Sequence, residues 1–202
     1  MRPEGRRRRA SRSEAGPTGR ATDAAAEFHS TLASEAAFRV WYEEALPRVY
    51  GYLFERTGRV RSVAEELTQE TFVDLVRSAG RFDGRSDPMT WAIAIARHKL
   101  ADHFRRLARE ERRRLSLVRD AVGASDDAWS ASERRGEVLH ALASVPALQR
   151  AALILHYMDD LTVAEVAAAL GRSASAIESL LARGRDGLRG AISALDEGTD
   201  DD

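Results

Sequence analysis

The chain has 202 residues, 44% hydrophobic and 31% charged with only 6% aromatic, a balance that suits one ordinary domain or two small ones with cores of Leu, Val, Ile and Ala. The absence of cysteine excludes disulfides, a cysteine nucleophile and thiolate metal sites. The net charge of −1 conceals two basic segments, residues 1–20 and 81–114, each at +5, and an acidic tail, residues 196–202, at −5; local charge is what an anionic polymer feels.

In chain order, residues 1–33 lack apolar periodicity and are expected to form a disordered basic tail. No hydrophobic signal core follows the arginines, and no apolar run reaches the roughly 20 residues that span a bilayer. Ser34 is placed to cap a helix over 34–57 that carries Phe38, Trp41, Tyr42, Leu46, Val49, Tyr50 and Leu53 at helical spacing. Pro47 is expected to kink or divide it. The segment VRSVAEELTQETFVDLVRSAG reads as a second helix, capped by Ser62 and ended by Gly80, with Val63, Leu67, Phe72, Leu75 and Val76 in its stripe. After the loop RFDGRSDP, a long helix runs through Trp91, Ile95, Leu100, Phe104 and Leu107.

Residues 115–132, rich in Gly, Ser and Asp, read as a linker between two helical domains, 34–114 and 133–192, with 193–202 as an acidic tail. A helix over 133–143 is followed by one that Pro146 opens. Thr162 and Glu165 form a capping box on a short helix ending at Leu170 and Gly171. The last helix starts at Ser173 or Ser175, and Ser175 with Glu178 has the spacing for a second box. Period-two alternation is rare, so the fold class is all-α.

Three surfaces carry chemistry. LTVAEVAAALGRSASAIESLLARGR has the form of a helix-turn-helix, with Val166, Leu170, Ile177, Leu181 and Leu188 as the seam; on this pattern alone a plain helical hairpin is as good a reading. The block ARHKLADHFRR sets Arg97, Lys99, His103, Arg105 and Arg106 beside Trp91 and Phe104, a pattern for phosphates and unpaired bases or simply a solvated basic face. AEELTQETFVDLV presents Glu65, Glu66, Gln69, Glu70 and Asp74, either a docking face for a basic helix or a solubilised exterior. His98 and Asp102 stand one turn apart, but His103 points elsewhere and no further ligands join them, so no metal site is expected. Neither a nucleophile motif nor a phosphate loop is present, so no catalysis and no cofactor are expected.

Taken in order, AEELTQETFVDLV, RFDGRSDPMTWAIAIARHKLADHFRR and VPALQRAALILHYMDDLTVAEVAAALGRS closely resemble the small two-domain bacterial sigma factors of the extracytoplasmic-function (ECF) group, within the sigma-70 family. The likeness runs from Phe38 to Leu188. It implies a region 2 domain and a region 4 helix-turn-helix domain, and a cytoplasmic protein that binds core RNA polymerase and promoter DNA and is held by an anti-sigma factor. Carried over by motif, Glu65, Glu66, Gln69, Glu70, Phe72 and Asp74 would dock on the clamp of the largest polymerase subunit. Phe82, Arg85, Ser86, Trp91, Arg97, His98, Lys99, His103, Arg105 and Arg106 would recognise and melt the −10 element. Arg172, Ser173, Ser175, Glu178, Ser179, Arg183 and Arg185 would read the −35 element. The sequence departs from the family where Val63 replaces an acid, and where Glu178, Leu180 and Ala182 replace the usual Lys, Arg and His; Gly184 and Gly187 add a helix-propensity cost of about 1 kcal/mol each.

Overall fold

The computed structural model describes residues 17–118 and 141–199. Seven α-helices lie within them: α1 (Pro17–Ala33), α2 (Glu35–Arg56), α3 (Arg61–Arg77), α4 (Pro88–Val118), α5 (Ala147–Leu153), α6 (Val163–Leu170) and α7 (Ala174–Thr199). A 3₁₀ turn spans Ala79–Arg81, α5 continues as a π-helical turn over Ile154–Met158, and residues 141–144 are helical. There is no strand among the described residues, and no helix among them is long and apolar enough to cross a membrane.

Local chemistry accounts for most boundaries. The Ser34 hydroxyl accepts from Ala37 N at 3.4 Å to start α2, and α2 then runs through Pro47 without dividing. That proline stays exposed on the flank of the helix. α3 begins two residues earlier than expected: Val60, with no side-chain bond, occupies the cap position in place of Ser62. The α-helical hydrogen bonding of α3 stops at Arg77, before Gly80. Pro88 opens α4, where a missing N–H costs nothing. The Asp87 carboxylate accepts from Met89 N at 2.8 Å. The helix continues to Val118, so the first residues assigned to the linker belong to it. Thr162 and Glu165 form the reciprocal box, which holds the Glu165 carboxyl below the usual carboxylate range. Ser173, rather than Ser175, caps α7 by accepting from Ala176 N at 3.3 Å.

The largest difference from expectation is α1. Residues 17–33, assigned to a disordered tail, are helical because Phe28 has a place to go. It is 3% exposed and meets Trp41, Phe82 and Trp91 edge-on at centroid distances of 5.1, 4.9 and 6.1 Å. His29 Nε2 lies 2.9 Å from the Ala79 carbonyl, fixing the helix to the 3₁₀ turn. Burying one aromatic ring stabilises by about 2–3 kcal/mol, enough to hold a short helix in place. Residues 1–16 of that tail lie outside the described residues, as do 119–132 of the linker.

α2, α3 and α4 enclose Val49, Leu53, Leu67, Leu75, Leu100 and Phe104. α5, α6 and α7 enclose Leu155, Val166, Leu170, Ile177 and Leu181. The two groups are not separate bodies of side chains: α4 packs on both α5 and α6, and one apolar cluster runs through them. Ala101 and Ala108 on α4 are buried. Gly184 admits a close approach inside the C-terminal group. A Cβ there would stand 3.1 Å from Leu153 Cδ1 and 3.3 Å from the Gln149 carbonyl, so α7 crosses α5 at that glycine.

Candidate nucleic-acid and docking surfaces

The acidic helix α3 divides into two faces. Glu65, Glu66 and Gln69 are exposed. Glu70 and Asp74 turn toward α4, where Lys99 Nζ lies 3.8 Å from Glu70 Oε2 and 2.5 Å from Asp74 Oδ2. Phe72, assigned to docking, is 7% exposed and packs against Tyr42 at 4.7 Å; it supports the helix from behind. Two valines outside that assignment, Val73 and Val76, are 47% and 52% exposed beside Gln69. The sequence reading placed Val76 in the apolar stripe and gave Val73 no role. Between α2 and α3 a groove of about 400 Å³ is lined by Tyr42, Leu46, Pro47, Tyr50, Glu65, Thr68 and Gln69.

The residues assigned to the −10 element separate in the same way. Phe82 is 3% exposed and belongs to the aromatic cluster under α1. Trp91 is half-buried beside it at 5.3 Å. Arg85 is exposed and Ser86 half-exposed on the loop. Gly84 takes φ +70° there, and the backbone of α1 passes directly over it. An open groove of about 830 Å³ between Arg20, Ala21 and Ala24 of α1 and Gly84–Pro88 of the loop results.

On α4, exposed His98 and half-buried Arg105 lie on one side of the helix, and Asp102 stands between them, 3.6 Å from His98 Nε2 and hydrogen-bonded by Arg105. Lys99 faces α3. His103 packs edge-on against Phe104, and burial, helped by Arg106 and Arg150, pushes its imidazole down to about 4. It is neutral at physiological pH and offers no charge to a phosphate. Arg106 is half-buried.

Arg97 is engaged elsewhere. Its Nε donates to Asp159 Oδ2 at 3.2 Å; Tyr52 Oη donates to the same oxygen at 2.7 Å, and Arg56 Nε to Oδ1 at 2.7 Å. The Asp159 side chain is 1% exposed. Burial first, then the Asp159 carboxylate, raises the Tyr52 phenol well above its ordinary range. A second cross-contact lies one end of the interface away: both Glu111 carboxylate oxygens accept from Ala147 N at 3.1 Å, at the start of α5. Neither Tyr52, Arg56 nor Asp159 carries a local motif that would single it out.

The helix-turn-helix is built as its sequence suggests. Gly171, at φ +63°, ends α6 with its own N–H and that of Arg172 bonded back to Ala168 and Ala167. Ile177 and Leu181 are buried against α6, and Leu180 is half-buried against the same core. Arg172, Ser173, Ser175, Glu178, Ser179, Arg183 and Arg185 are all exposed. The Arg185 guanidinium donates to the Tyr157 hydroxyl at 3.0 Å. Glu178 forms no second box, because the helix is capped two residues earlier, at Ser173. Among the described residues no group of three His, Asp or Glu side chains comes together to hold a metal ion.

The family model described as Sigma-70 region 2 matches residues 41–110, and that described as Sigma-70, region 4, matches residues 135–187. The chain is 33% identical over 190 residues to the ECF RNA polymerase sigma factor SigK of Mycobacterium ulcerans, across 90% of this chain and 98% of that one. It is 30% identical over 175 residues to the ECF RNA polymerase sigma factor SigX of Bacillus subtilis, across 83% and 90%. In fold it is similar to the sigma factor RpoE in the co-crystal structure with the anti-sigma factor NepR from Bartonella quintana, with a TM-score of 0.51 at 22% identity over 77% of this chain and 96% of that chain. With both regions matched in order and full-length relatives at this identity, the chain belongs to the ECF group of the sigma-70 family and is a sigma factor that directs transcription initiation by RNA polymerase.

Proposed function

We propose that the three surfaces divide the work of initiation. The exposed face of α3, Glu65, Glu66 and Gln69 with Val73 and Val76, docks on the clamp of the largest polymerase subunit. Arg85 and Ser86 of the loop, with His98 and Arg105 of α4, meet the −10 element, where Phe82 and Trp91 act as the rigid floor and not as stacking rings. The exposed polar row of α7 enters the major groove at the −35 element. The observation that carries this reading is that row: seven polar side chains from Arg172 to Arg185 lie outward while Ile177, Leu180 and Leu181 secure the helix from behind.

Opening duplex costs about 1.4 kcal/mol per base-pair step in lost stacking, and phosphate contacts with captured bases offset it. Two weak contacts on one chain act together through effective concentration. A cytoplasmic location is in keeping with these partners, and an anti-sigma protein, a kind of partner named for RpoE, is a further expected partner. Transcription in vitro with purified core polymerase on genomic DNA, mapping start sites, tests the whole assignment. A discrete start-site set that shifts when Ser179 and Arg183 are replaced by Ala supports it. Binding to DNA without any association with core polymerase would instead describe a stand-alone helix-turn-helix regulator.

A further inference from the structure

We propose that Tyr52, Arg56 and Arg97 form a phosphate site for promoter DNA, which Asp159 occupies in the closed chain. The proposal rests on the assignment of α4 to the −10 element and extends it to two residues of α2.

The site is built by the N-terminal helices alone. Arg56 Nη1 donates to the Tyr52 carbonyl at 3.2 Å, and its guanidinium lies 3.9 Å above the Tyr52 ring. Those contacts are internal to α2 and orient Arg56 whether or not Asp159 is present. Arg97 enters from α4, and the Tyr52 hydroxyl supplies a third donor. Two cations and a hydroxyl converge on one anion; the C-terminal helices contribute that anion, the Met158 carbonyl, which accepts from Arg56 Nη2 at 3.0 Å, and, without a hydrogen bond to Arg97, the exposed Glu165 carboxylate within its electrostatic reach. Withdrawal of Asp159 leaves two converging guanidinium groups with no anion between them. A tetrahedral phosphate, with oxygens to spare for forked donors, is the ligand such an arrangement selects.

Position favours DNA over a protein carboxylate as its source. Arg97 precedes His98 on α4 and lies about 12 Å along the axis from Arg105, the rise of three to four nucleotides on one strand. A strand that meets His98 and the half-buried Arg105 therefore reaches Arg97, whose side chain is as accessible as that of Arg105. The π turn and the left-handed Asp160, φ 53°, project Asp159 from the end of α5 into the site. Because Asp159 is tethered, it competes at a high effective concentration. The C-terminal group must lift from α4 before Arg97 can take a phosphate.

The test measures binding of the full chain to a fork-junction DNA, duplex upstream and single-stranded across a −10 element mapped for this factor, over a range of salt. Asp159→Asn is expected to bind about tenfold more tightly, with a salt slope steeper by about 0.7–0.9, one phosphate. Adding Arg56→Ala is expected to abolish both gains. Glu111→Gln loosens the same packing from the other end without touching the site, and serves where Asp159→Asn does not fold; its gain must likewise vanish with Arg56→Ala. Wild-type affinity and slope in a folded, opened variant overturn the proposal, as does a gain that survives Arg56→Ala. Tighter binding to core polymerase with no gain on fork DNA also overturns it and assigns the site to a protein carboxylate. Arg105→Ala separates the two readings: if it leaves fork binding unchanged, the −10 assignment of α4 fails, whereas loss there without gain in Asp159→Asn defeats the phosphate site alone.

Discussion

The carbonyl group of Ala21 occupies the space that a side chain at Gly84 would need. A Cβ added to Gly84 would overlap that oxygen and stand 2.6 Å from Ala25 N, both backbone atoms that cannot swing aside, and the residue already holds φ +70°. Gly84→Ala is therefore expected to undock α1 and to cost about 1–2 kcal/mol in left-handed strain alone. The observable consequences are faster proteolytic cleavage within residues 17–33 and altered tryptophan fluorescence, since Phe28 no longer covers Trp41 and Trp91. Unchanged cleavage kinetics would contradict the close approach.

The same contact explains why α1 escaped the sequence reading. Its apolar content is mostly Ala, and its one fully buried large side chain, Phe28, acquires meaning only from rings at Trp41, Phe82 and Trp91 outside the helix. Helices α2, α3, α4, α6 and α7 were legible because each carries a 3.6-residue stripe of Leu, Val, Ile or aromatic residues. Surface roles were less so. A stripe reveals which side is apolar, but Lys99 pairs with Asp74 and Arg97 with Asp159 through contacts between elements, and Phe72 and Phe82 have the composition of a functional aromatic while serving the core. Gly184 shows the reverse case: by propensity a weak point, in three dimensions the place where α5 and α7 touch.

On α3, the free and the engaged acids make different predictions. Glu66→Lys combined with Val73→Lys changes only exposed positions, so core-polymerase affinity is expected to fall at least tenfold while the thermal midpoint stays put. Glu70→Lys instead faces Lys99, and its chief effect is expected to be on stability, about 0.5–1 kcal/mol for a partly exposed pair. Binding to immobilised core and thermal melting of the same preparations distinguish the two. Equal loss of core affinity in both variants would mean that Glu70 belongs to the docking face after all.

His103 ties stability to acid. Its folded-state value is lowered to about 4, so between its unfolded value near 6.5 and that point the unfolded chain binds the extra proton. Stability contributed by the neutral ring is present above 6.5 and is lost as pH falls toward 4. Between pH 7 and pH 5 the loss is about 2 kcal/mol from this residue. Urea midpoints at the two pH values should differ more for the wild type than for His103→Gln, which cannot take up a proton. Parallel pH dependence in the two proteins would remove His103 from the account.

Two glycines of α7 have the same propensity cost and opposite surroundings. At Gly187 the nearest atom to an added Cβ is Val145 Cγ2 at 3.8 Å, ordinary contact, so Gly187→Ala is expected to gain close to the full helix-propensity difference, about 1 kcal/mol. At Gly184 the added methyl would press Leu153 Cδ1 at 3.1 Å and Cγ at 3.2 Å. Leu153 is 5% exposed and has little room to retreat, and the third neighbour is a backbone oxygen. Overpacking of this kind costs about 1–3 kcal/mol, which outweighs the propensity gain, so Gly184→Ala is expected to destabilise. Because α5 also faces α4, the displacement of Leu153 should propagate to the Glu111–Ala147 contact and loosen the closed arrangement, whereas Gly187→Ala should leave it intact. Chemical denaturation of the pair, with a distance probe between α4 and α7, decides the matter: stabilisation by both substitutions would show that α5 and α7 are not in the close contact described.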